Sequence, residues 1–333
     1  MSKPHVLARE FSSKEISTFL SELMPSACLV SYEYLFGGLS TTTVKIELEE
    51  KKFAILKIFY PNPSSFSTFE NSMNICRYIK SANSDIRIAY PLTEIRFGEL
   101  GIPAIIMSYI ENSIGGNLIE KKIQTNILNQ LGTVLAQIHQ LRISSELVSY
   151  ETGGAVDLFD HASGKLLDSI SKIDNAEFTE LYKTELAESF QNLKRFPIGI
   201  IHGDPYLDNV LVSVSDHEQL LALVDFEDAC VGPVMFDVGS AIAGGCIDDT
   251  GLNWTGIKAF LTGYESVRKL SAIERDAITQ FIRIGIMCSC AFRFLTLANT
   301  AHSDAYLPLM GQLVFVKNNA ALIESKLHDL LED

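Results

Sequence analysis

The chain has 333 residues, of which 47% are hydrophobic and 20% are charged, and its formal net charge at pH 7 is −14. This composition is typical of an ordinary folded protein rather than a disordered one, and the length favours two lobes over one small core. The acidic balance argues against a nucleic-acid binder, which needs a basic surface to neutralise phosphates.

Neither the N-terminus nor the cysteines indicate a secreted or membrane protein. "MSKPHVLAREFSSKE" lacks the hydrophobic segment of a signal peptide. The longest apolar run, residues 281–298, carries Arg283 and Arg293, so it predicts a buried helix rather than a membrane span. The six cysteines form no Cys-x-x-Cys pair, and we expect reduced thiols rather than a zinc site or disulfides. We predict a cytoplasmic monomer or homodimer with neither a membrane nor a nucleic-acid partner.

The first hundred residues are predicted to be rich in strands. Residues 28–36 ("CLVSYEYLF") and 41–49 ("TTTVKIELE") predict two strands around "GGLS", and residues 52–60 predict a third. A helix is predicted over residues 65–82, followed by a hairpin with its turn at Gly98 to Gly101.

From about residue 112 onward, apolar residues recur at helical spacing. The pattern is clear in residues 123–141, in residues 176–193 and in most of the chain after Trp254. The predicted fold class is therefore α+β. A small N-terminal lobe with an antiparallel sheet covers residues 1–108, and a larger, mainly helical lobe covers residues 109–333.

A predicted β-hairpin places polar residues together. The apolar segments 209–214 and 219–225 flank the polar turn 215–218. Residues equidistant from the turn of a hairpin face each other, which brings Asn209 and Asp225 side by side at its open end. Their oxygens, with water and phosphate oxygens, are the ligands that Mg²⁺ takes. Asp204, in the loop before the first strand, approaches the same point as a free acid.

One free aspartate beside a two-oxygen metal site is the arrangement that phosphoryl transfer requires. Asp204 would orient an acceptor hydroxyl and take its proton. The alternative is a loop rich in Asp and Asn that happens to lie between strands. The full spacing His-Gly-Asp-x-x-x-x-Asn, followed by Asp225-Phe226 at the end of the hairpin, favours the functional interpretation.

The third strand is apolar on both faces except at Lys57. Burying a lysine without an anionic partner is costly, so we expect Lys57 to contact the phosphates of ATP. The alternative is an edge strand with the lysine in water. In "GGLST", the backbone of Gly37 and Gly38 and the hydroxyls of Ser40 and Thr41 can approach phosphates, although two glycines between strands are often only a turn.

The segments "HGDPYLDN" and "LVDFEDACVGPVMFDVG" resemble the catalytic and metal motifs of the aminoglycoside phosphotransferase, choline kinase and homoserine kinase superfamily. Its members are small-molecule kinases. "FGGLSTTTVKIELEEKKFAILKIFY" is similar to the family's nucleotide loop and lysine strand, and "LGTVLAQIHQL" to its helix ending in Leu/Ile-His. The C-terminal helices look most like the homoserine kinase type II branch. The resemblance implies a protein-kinase-like bilobal fold with an N-terminal nucleotide-binding lobe, and the use of ATP and Mg²⁺.

The resemblance also implies roles for residues at the catalytic and phosphate sites. Asp204 becomes the catalytic base, and Asn209 and Asp225 become magnesium ligands. Lys57 becomes the phosphate-contacting lysine, and Glu70 on the next helix becomes its ion-pair partner.

Two further residues support the catalytic loop in this resemblance. Asp237 becomes a carboxylate that braces the loop, and His202 shapes the loop through hydrogen bonds without carrying a proton. The stretch from Met107 to Asn112 is the predicted hinge, and the backbone of Met107 to Tyr109 would bind adenine.

The sequence departs from eukaryotic protein kinases at two positions. It has His-Gly-Asp where they have His-Arg-Asp, and Glu227 where they have glycine after Asp-Phe. A protein substrate is therefore not expected. Glu227 either adds a carboxylate near the metal or, as we favour, points to solvent.

Four residues are candidates for binding the acceptor. Asp248 and Asp249 lie where related kinases line the acceptor pocket and can hold an ammonium group, although Asp-Asp-Thr-Gly is also a good loop or cap sequence. Arg283 or Arg293 can bind the carboxylate of an amino acid, which suits homoserine, or can pair with internal acids.

Three functions stay open at this point. The first is a kinase of a small amine or amino acid, with homoserine ahead of choline, ethanolamine and aminoglycosides. The second is a kinase of a neutral sugar or thioribose, and the third is a non-catalytic nucleotide-binding regulator. The combination of Lys57, Asp204, Asn209 and Asp225 favours an enzyme, since a binding module does not need a base.

Overall fold

The computed structural model describes residues 9–35, 41–59, 66–121, 124–145, 147, 175–190, 192–248, 251–297 and 303–332. In these ranges the strands are β1 (Leu29–Leu35), β2 (Thr42–Leu48), β3 (Lys52–Ile58), β4 (Arg96–Phe97), β5 (Pro103–Ser108), β6 (Ser113–Gly115), β7 (Ile198–Ile201), β8 (Val210–Ser213), β9 (Leu220–Leu223), β10 (Cys230–Pro233), β11 (Ile247–Asp248) and β12 (Gly251–Leu252). The helices of the same ranges are α1 (Ser13–Leu23), α2 (Phe66–Ala82), α3 (Gln124–His139), α4 (Ala176–Glu188), α5 (Met235–Cys246), α6 (Trp254–Val267), α7 (Ala272–Asp276), α8 (Ile278–Leu297), α9 (Leu307–Asn318) and α10 (Ala320–Glu332).

An antiparallel five-stranded sheet in the order β1-β2-β3-β5-β4 forms the N-terminal part of the molecule. The predicted strands and α2 are present, and the Gly101 N–H donates to the Gly98 carbonyl at 2.8 Å to close the predicted turn before β5. β3 is the middle strand, paired with β2 on one side and β5 on the other. The alternative that Lys57 lies on a sheet edge is therefore wrong.

The two faces of this sheet have different partners, because successive residues of a strand point to opposite sides. Leu56 of β3 packs with Phe19 of α1 in one hydrophobic cluster. Burial of each such side chain contributes about 2 kcal/mol relative to exposure, so α1 covers this face stably. The other face carries Lys57 and, opposite it on β5, Ile105, which belongs to the core shared with the helical region.

The rest of the described chain is mainly helical, as predicted. α3 packs along α6, and α5 packs along α8. The apolar run with two arginines forms α8, and its Phe281, Ile282 and Ile286 are fully buried. The prediction of a buried helix is confirmed, and none of the described helices is long and apolar enough to cross a membrane. The six cysteines are free thiols, with Cys28 exposed and the others buried.

Two small sheets position the polar loop between the sheet and the helices. β7 pairs with β10, and β8 pairs with both β6 and β9, all antiparallel. The predicted hairpin is therefore present as β8 and β9. Near the turn Val212 pairs with Leu220, so the hairpin is centred on Asp216 rather than His217, and a register shift between Leu211 and Val212 then places Val210 opposite Leu223. At the open end the Val224 N–H, rather than that of Asp225, donates to the Asn209 carbonyl at 3.0 Å.

β9 also bonds to the segment that precedes β4. The Ala89 N–H donates to the Leu223 carbonyl at 2.8 Å, and the Leu223 N–H donates to the Arg87 carbonyl at 2.9 Å. A strand of the hairpin is thus joined by backbone bonds to the N-terminal part of the molecule, two residues before Asp225.

Candidate active site

One buried carboxylate holds the start of the polar loop 202–209 through hydrogen bonds to its backbone. Asp237, in the first turn of α5, is fully buried and accepts hydrogen bonds from the backbone N–H groups of His202 at 2.7 Å and Gly203 at 2.9 Å. His139, the last residue of α3, donates from Nε2 to the same carboxylate at 3.0 Å. Each donor satisfies an oxygen that would otherwise be buried unpaired, so the loop, α3 and α5 meet at Asp237.

The glycine of His-Gly-Asp is required because a side chain at this position has no room. Gly203 has a φ of +89°, a left-handed value that side chains disfavour. A Cβ built on Gly203 would lie 2.4 Å from the Asp228 carbonyl oxygen and 2.8 Å from the Asp228 Cβ. No other residue fits between the loop and Asp228, which explains why the arginine of protein kinases is absent here.

His202 is a buried, neutral support of the loop. Its Nε2 donates to the Val224 carbonyl at 2.9 Å, and its Nδ1 accepts the Asp204 N–H at 3.2 Å. Burial lowers the pKa of His202 below its usual value, because desolvation disfavours the charged ring. The geometry agrees with the predicted hydrogen-bonding residue.

Asp204 and Asn209 are in direct contact. The Asn209 Nδ2 donates to the Asp204 carboxylate at 2.8 Å and to the Asp204 carbonyl at 2.9 Å. Both partners are acceptors, so the amide nitrogen must face them and the Asn209 Oδ1 is left for another ligand. Among the described residues, this amide is the side-chain donor to the Asp204 carboxylate, which keeps acceptor capacity free.

Asp225 lies at the same end of the hairpin and is paired with Lys57. The Lys57 Nζ lies 2.7 Å from the Asp225 Oδ1 and 2.5 Å from the Glu227 Oε1, and the Lys57 side chain is 10% exposed. Asp225 has a left-handed backbone with a φ of 64°, which directs its carboxylate at the lysine. The charge of Asp225 also contributes to raising the pKa of Asp204, so Lys57, Asp225 and Asp204 belong to one site between the sheet and the helical region.

Two predictions about charged partners are wrong. Glu70 is exposed on α2, and the ion pairs of Lys57 go instead to Asp225 and Glu227. Glu227, which we favoured as solvent-facing, is buried with its side chain 7% exposed and also accepts from the Thr41 hydroxyl at 3.1 Å. The left-handed turn at Asp225 folds the chain back, and this brings the residue two positions later to the lysine.

Lys57 and the carboxylates of Asp225 and Glu227 stabilise one another's charged forms. Burial alone would lower the pKa of Lys57, but Asp225 and Glu227 raise it above its usual value. Burial opposes the ionisation of Asp225, yet the Lys57 charge keeps the pKa of Asp225 below its usual range.

The acids beyond the reach of Lys57 behave differently. Burial, followed by the charge of Asp228, raises the pKa of Asp204 well above its usual value, and the Asn209 hydrogen bond offsets only part of this. Burial and the charges of Glu227 and Asp225 raise the pKa of Asp228 to about 7. Asp204 and Asp228 are therefore carboxylates whose ionised forms need a further positive charge nearby.

The residues predicted for the nucleotide are only partly within the described ranges. Gly37, Gly38 and Ser40 lie outside them, while Thr41 is buried against Glu227. Met107 is buried in β5 opposite Ile55, and the Tyr109 ring lies 5.6 Å from the Phe53 ring.

The acceptor candidates have different environments. Arg283 is bound to Glu185 through two hydrogen bonds of 3.0 and 2.7 Å and to Glu188 at 2.6 Å, so it pairs with internal acids. Arg293 is half-buried on α8. Asp248 ends β11, its side chain is outside the described part of the chain, and Asp249 lies outside it entirely.

Three supporting residues were not identified as site residues from the sequence. His139 was recognised only as the end of an Ile-His helix, although it bonds to Asp237, and Tyr264 bonds to the His139 Nδ1 at 2.7 Å. Asp228 carries no sequence signal beyond its place after Glu227. Its position beside Gly203 follows from tertiary packing alone.

A cavity of about 860 Å³ lies elsewhere, between residues 270–276 and residues 324–332. It is lined by Arg275, Asp276, His328 and neighbouring residues, and it contains none of the predicted site residues.

Comparisons with known proteins assign the chain to a family by its sequence. The sequence model of a phosphotransferase enzyme family matches residues 32–270. A homoserine kinase of Neisseria meningitidis serogroup B is 31% identical over 189 residues, 56% of this chain and 57% of the relative. The chain spans about half the length, or less, of the curated relatives that it matches first.

Solved structures are similar over almost the whole chain. A choline kinase from Cryptosporidium parvum Iowa II has a TM-score of 0.65 at 12% identity, covering 97% of this chain and 100% of that one. The streptomycin–ATP–APH(2″)-IIa ternary complex has a TM-score of 0.64 at 15% identity, covering 92% and 97%. The predicted α+β, protein-kinase-like fold, with a sheet lobe followed by a mainly helical lobe, is confirmed.

Proposed function

Because the chain belongs to the phosphotransferase enzyme family, we propose that it is an ATP- and Mg²⁺-dependent kinase of a hydroxyl group on a small molecule. The favoured acceptor is an amino acid or amino alcohol such as homoserine, since relatives that are 30% and 31% identical are homoserine kinases. In the same proposal, residues 1–108 bind the nucleotide, and residues 109–333 hold the catalytic loop, the metal ligands and the acceptor.

One observation carries this proposal. The Asp204 carboxylate keeps free acceptor capacity beside the Asn209 amide, at the end of the hairpin where Lys57 meets Asp225. A base, two oxygen ligands and a phosphate-binding cation are the components that phosphoryl transfer needs within one cleft.

Asp204 is the base of the proposed reaction. The acceptor hydroxyl donates its proton to the Asp204 carboxylate, and the acceptor oxygen bonds to the γ-phosphorus while the bond to the β,γ-bridging oxygen breaks. ADP leaves with that oxygen, and Asp204 later returns the proton to solvent. The raised pKa of Asp204 suits this task, because a carboxylate with a higher pKa is a stronger base toward the acceptor hydroxyl.

Asn209 and Asp225 fit a hard cation. Asn209 has a free Oδ1, and Asp225 has a second carboxylate oxygen besides the one that binds Lys57. The described residues contain no group of three His, Cys, Asp or Glu side chains arranged for a metal, so nucleotide and water oxygens would complete the shell. When bound, Mg²⁺ would neutralise charge on the phosphate groups. Lys57, oriented by Glu227, would contact the same nucleotide.

The test is ATP consumption with a panel of hydroxyl compounds. The panel contains homoserine, choline, ethanolamine, an aminoglycoside and a neutral sugar, each assayed by coupled detection of ADP with Mg²⁺. We expect an amino acid or amino alcohol to stimulate ATP use, and Asp204→Asn to abolish that stimulation while Mg-ATP still raises Tm. The matched control is Asp216→Asn, an exposed residue of the turn between β8 and β9. If no hydroxyl compound stimulates ATP use by the wild-type protein, the proposed function is wrong.

A further inference from the structure

Hydrogen bonds continue away from the carboxylate that holds the catalytic loop. The His139 ring bonds to Asp237 through Nε2 at 3.0 Å and to the Tyr264 hydroxyl through Nδ1 at 2.7 Å. The Arg268 Nη1 donates to the Tyr264 oxygen at 3.2 Å, and the Arg268 Nη2 donates to the Glu274 Oε1 at 2.6 Å. These five side chains form one network, which joins the catalytic loop to α7, where none of the predicted site residues lies.

The direction of each bond follows from the chemistry of the groups. A guanidinium has N–H donors and no acceptor, so the bond from Arg268 ends on a lone pair of the Tyr264 oxygen. The Tyr264 hydroxyl has one proton, and the His139 Nδ1 at 2.7 Å is placed to accept it. With Nδ1 as an acceptor, the neutral imidazole carries its proton on Nε2, which faces Asp237.

The opposite direction is less favourable. If the His139 Nδ1 donated to Tyr264, the buried hydroxyl would face two donors and have no acceptor for its own proton among the described residues. A buried donor without a partner is costly. Burial also raises the pKa of Tyr264, and the Arg268 charge offsets only part of this, so the phenol retains the proton that it donates.

Glu274 fixes the far end of the network. Its second oxygen, Oε2, accepts hydrogen bonds from the Ser271 N–H at 2.9 Å and the Ser271 hydroxyl at 2.7 Å, in the capping box of α7. The side chains of Arg268 and Glu274 are 15% and 2% exposed, so solvent screens their ion pair little. The guanidinium is therefore held in one position beside Tyr264.

Backbone contact between α3 and α6 fixes the middle of the network. A Cβ built on Gly263 of α6 would lie 1.8 Å from the Asn129 carbonyl oxygen of α3, so only a glycine allows this approach. Tyr264 is the next residue of α6, and His139 ends α3. The bond between His139 and Tyr264 is thus set by closely packed helices rather than by mobile side chains.

We propose that Tyr264 and Arg268 are positioning residues for Asp204, the base of the proposed reaction. Both act through His139, which they fix as the tautomer that donates to Asp237. The bonds all run from the guanidinium towards the carboxylate, and hydrogen bonds aligned in one direction polarise and strengthen one another. The inference rests on the proposed function and adds two residues to it that lie outside the catalytic loop.

Asp237 transmits this support to the base. Its carboxylate accepts the backbone N–H groups of His202 and Gly203, the two residues before Asp204. Without a stable donor at His139, the carboxylate is free to turn, and the backbone that carries Asp204 shifts with it. A catalytic group displaced by about 1 Å can lose on the order of a hundredfold in rate.

The kinetic test compares turnover with nucleotide binding. Tyr264→Phe should lower kcat about tenfold to a hundredfold, measured by coupled ADP detection with the best acceptor of the panel. KM for Mg-ATP should stay within about threefold, because Lys57 and Asp225 are held by contacts outside the network. Arg268→Met should lower kcat in the same direction, and Arg268→Lys, which keeps a donor, should recover part of the loss.

The matched control is Tyr182→Phe. Tyr182 lies on α4, is as buried as Tyr264 and packs against Phe178, away from the network. The control also loses one buried phenol oxygen, so it measures the effect of that loss on the fold alone. We expect its kcat to stay within about threefold of the wild-type value.

A second readout tests the tautomer without any turnover. Nitrogen NMR of protein labelled at histidine distinguishes a protonated ring nitrogen from an accepting one, and His139→Gln identifies the signal. The wild-type protein and Tyr182→Phe should show a protonated Nε2 and an accepting Nδ1. Tyr264→Phe should show a mixture of the two tautomers, because Nδ1 no longer has a donor.

The opposing outcomes are distinct. A wild-type His139 with its proton on Nδ1, or a Tyr264→Phe variant in which either kcat or the tautomer is unchanged, would overturn the inference and leave the kinase function intact. An equal fall of kcat in Tyr182→Phe would assign the loss to the fold and overturn it as well. Arg268→Met, at a partly exposed position, supplies the same two readouts if Tyr264→Phe does not fold. If no hydroxyl compound stimulates ATP use by the wild-type protein, both the inference and the proposed function fall.

Discussion

Asp204 and Asp237 are carboxylates of the same loop region with opposite surroundings. Asp237 is fully buried and is satisfied by three donors from His202, Gly203 and His139. Asp204 is partly accessible, has one side-chain amide as its donor and lies among other acids. The comparison teaches that the Asp237 carboxylate is placed to hold the loop through three hydrogen bonds, whereas the Asp204 carboxylate keeps acceptor sites open, as the proposed base requires.

The largest difference between the two carboxylates is expected in kcat. Asp204→Asn should lower kcat by about 10²–10⁴, the usual contribution of a general base, while Tm stays equal or rises because an uncompensated charge is removed. Steady-state kinetics and thermal unfolding measure the two quantities on the same protein. If Asp204→Asn lowered Tm as well as kcat, Asp204 would support the fold as Asp237 does, and the distinction between the two carboxylates would be wrong.

The next largest effect is expected on folding. Asp237→Ala leaves two backbone N–H groups and the His139 Nε2 without an acceptor, and each buried unsatisfied group costs about 1–3 kcal/mol. We expect the free energy of unfolding to fall by about 3 kcal/mol or more, measured by urea denaturation. Asp204→Ala is the matched comparison and should unfold near the wild-type urea concentration. Similar midpoints for both alanine variants would show that Asp237 is no more structural than Asp204.

A pH-dependent effect follows from Asp228. Its folded-state pKa of about 7 lies above the usual value for an aspartate, so the folded protein binds this proton more tightly than the unfolded chain does. The contribution of Asp228 to stability is therefore lost as the pH rises from about 4 through 7. Asp228→Asn, which carries no charge, should be more stable than the wild-type protein at pH 8, by about 2–4 kcal/mol, since the two pKa values differ by about 3 and each unit is worth about 1.4 kcal/mol.

This difference should vanish below about pH 4, where the wild-type carboxyl is protonated in both states. Thermal unfolding without nucleotide or divalent cations, from pH 4 to 8, measures it. If the Tm of both proteins changed with pH in the same way, the raised pKa of Asp228 would be contradicted.

The smallest effect concerns the partner of Lys57. Glu227→Gln weakens a buried contact of 2.5 Å and should lower the free energy of unfolding by about 1–2 kcal/mol. The binding of Mg-ATP should weaken with it. Glu70→Gln, the matched change on the exposed surface of α2, should stay within about 0.5 kcal/mol of the wild-type protein. If Glu70→Gln lowered the free energy of unfolding more than Glu227→Gln did, Glu70 rather than Glu227 would be the partner of Lys57.

Local patterns predicted the elements, and tertiary packing decided the contacts. The apolar run of β3, the turn at Gly98 to Gly101 and the hairpin that brings Asn209 near Asp225 follow from local sequence patterns alone. The hairpin pairing was wrong by one residue at its open end, because the turn is centred on Asp216 rather than His217, and the polar residues 215–218 do not show from sequence which of them lies at the centre. The α1 helix was missed, although Ser12 and Glu15 form the capping box that begins it.

The candidate site was predictable in its residue types but not in its electrostatic pairs. Lys57 is buried in a central strand, but the anions beside it are Asp225 and Glu227, and its contact with the phosphates of ATP stays a prediction. The identity of the anion depends on the left-handed backbone at Asp225, a conformation that no sequence pattern announces in an aspartate. The position of Asp228 beside Gly203 is likewise set by tertiary packing, so it emerges only in three dimensions.

The backbone bonds between Leu223 and residues 87 and 89 have a mechanical consequence. If the sheet and the helical region rotate relative to each other, the two bonds act as a pivot, since points near an axis move least. Asp225, two residues further along, would stay almost still while Asp228 and the tip of the sheet swing through larger arcs. Closure of the cleft would then change the acceptor side far more than the geometry at Lys57 and Asp225.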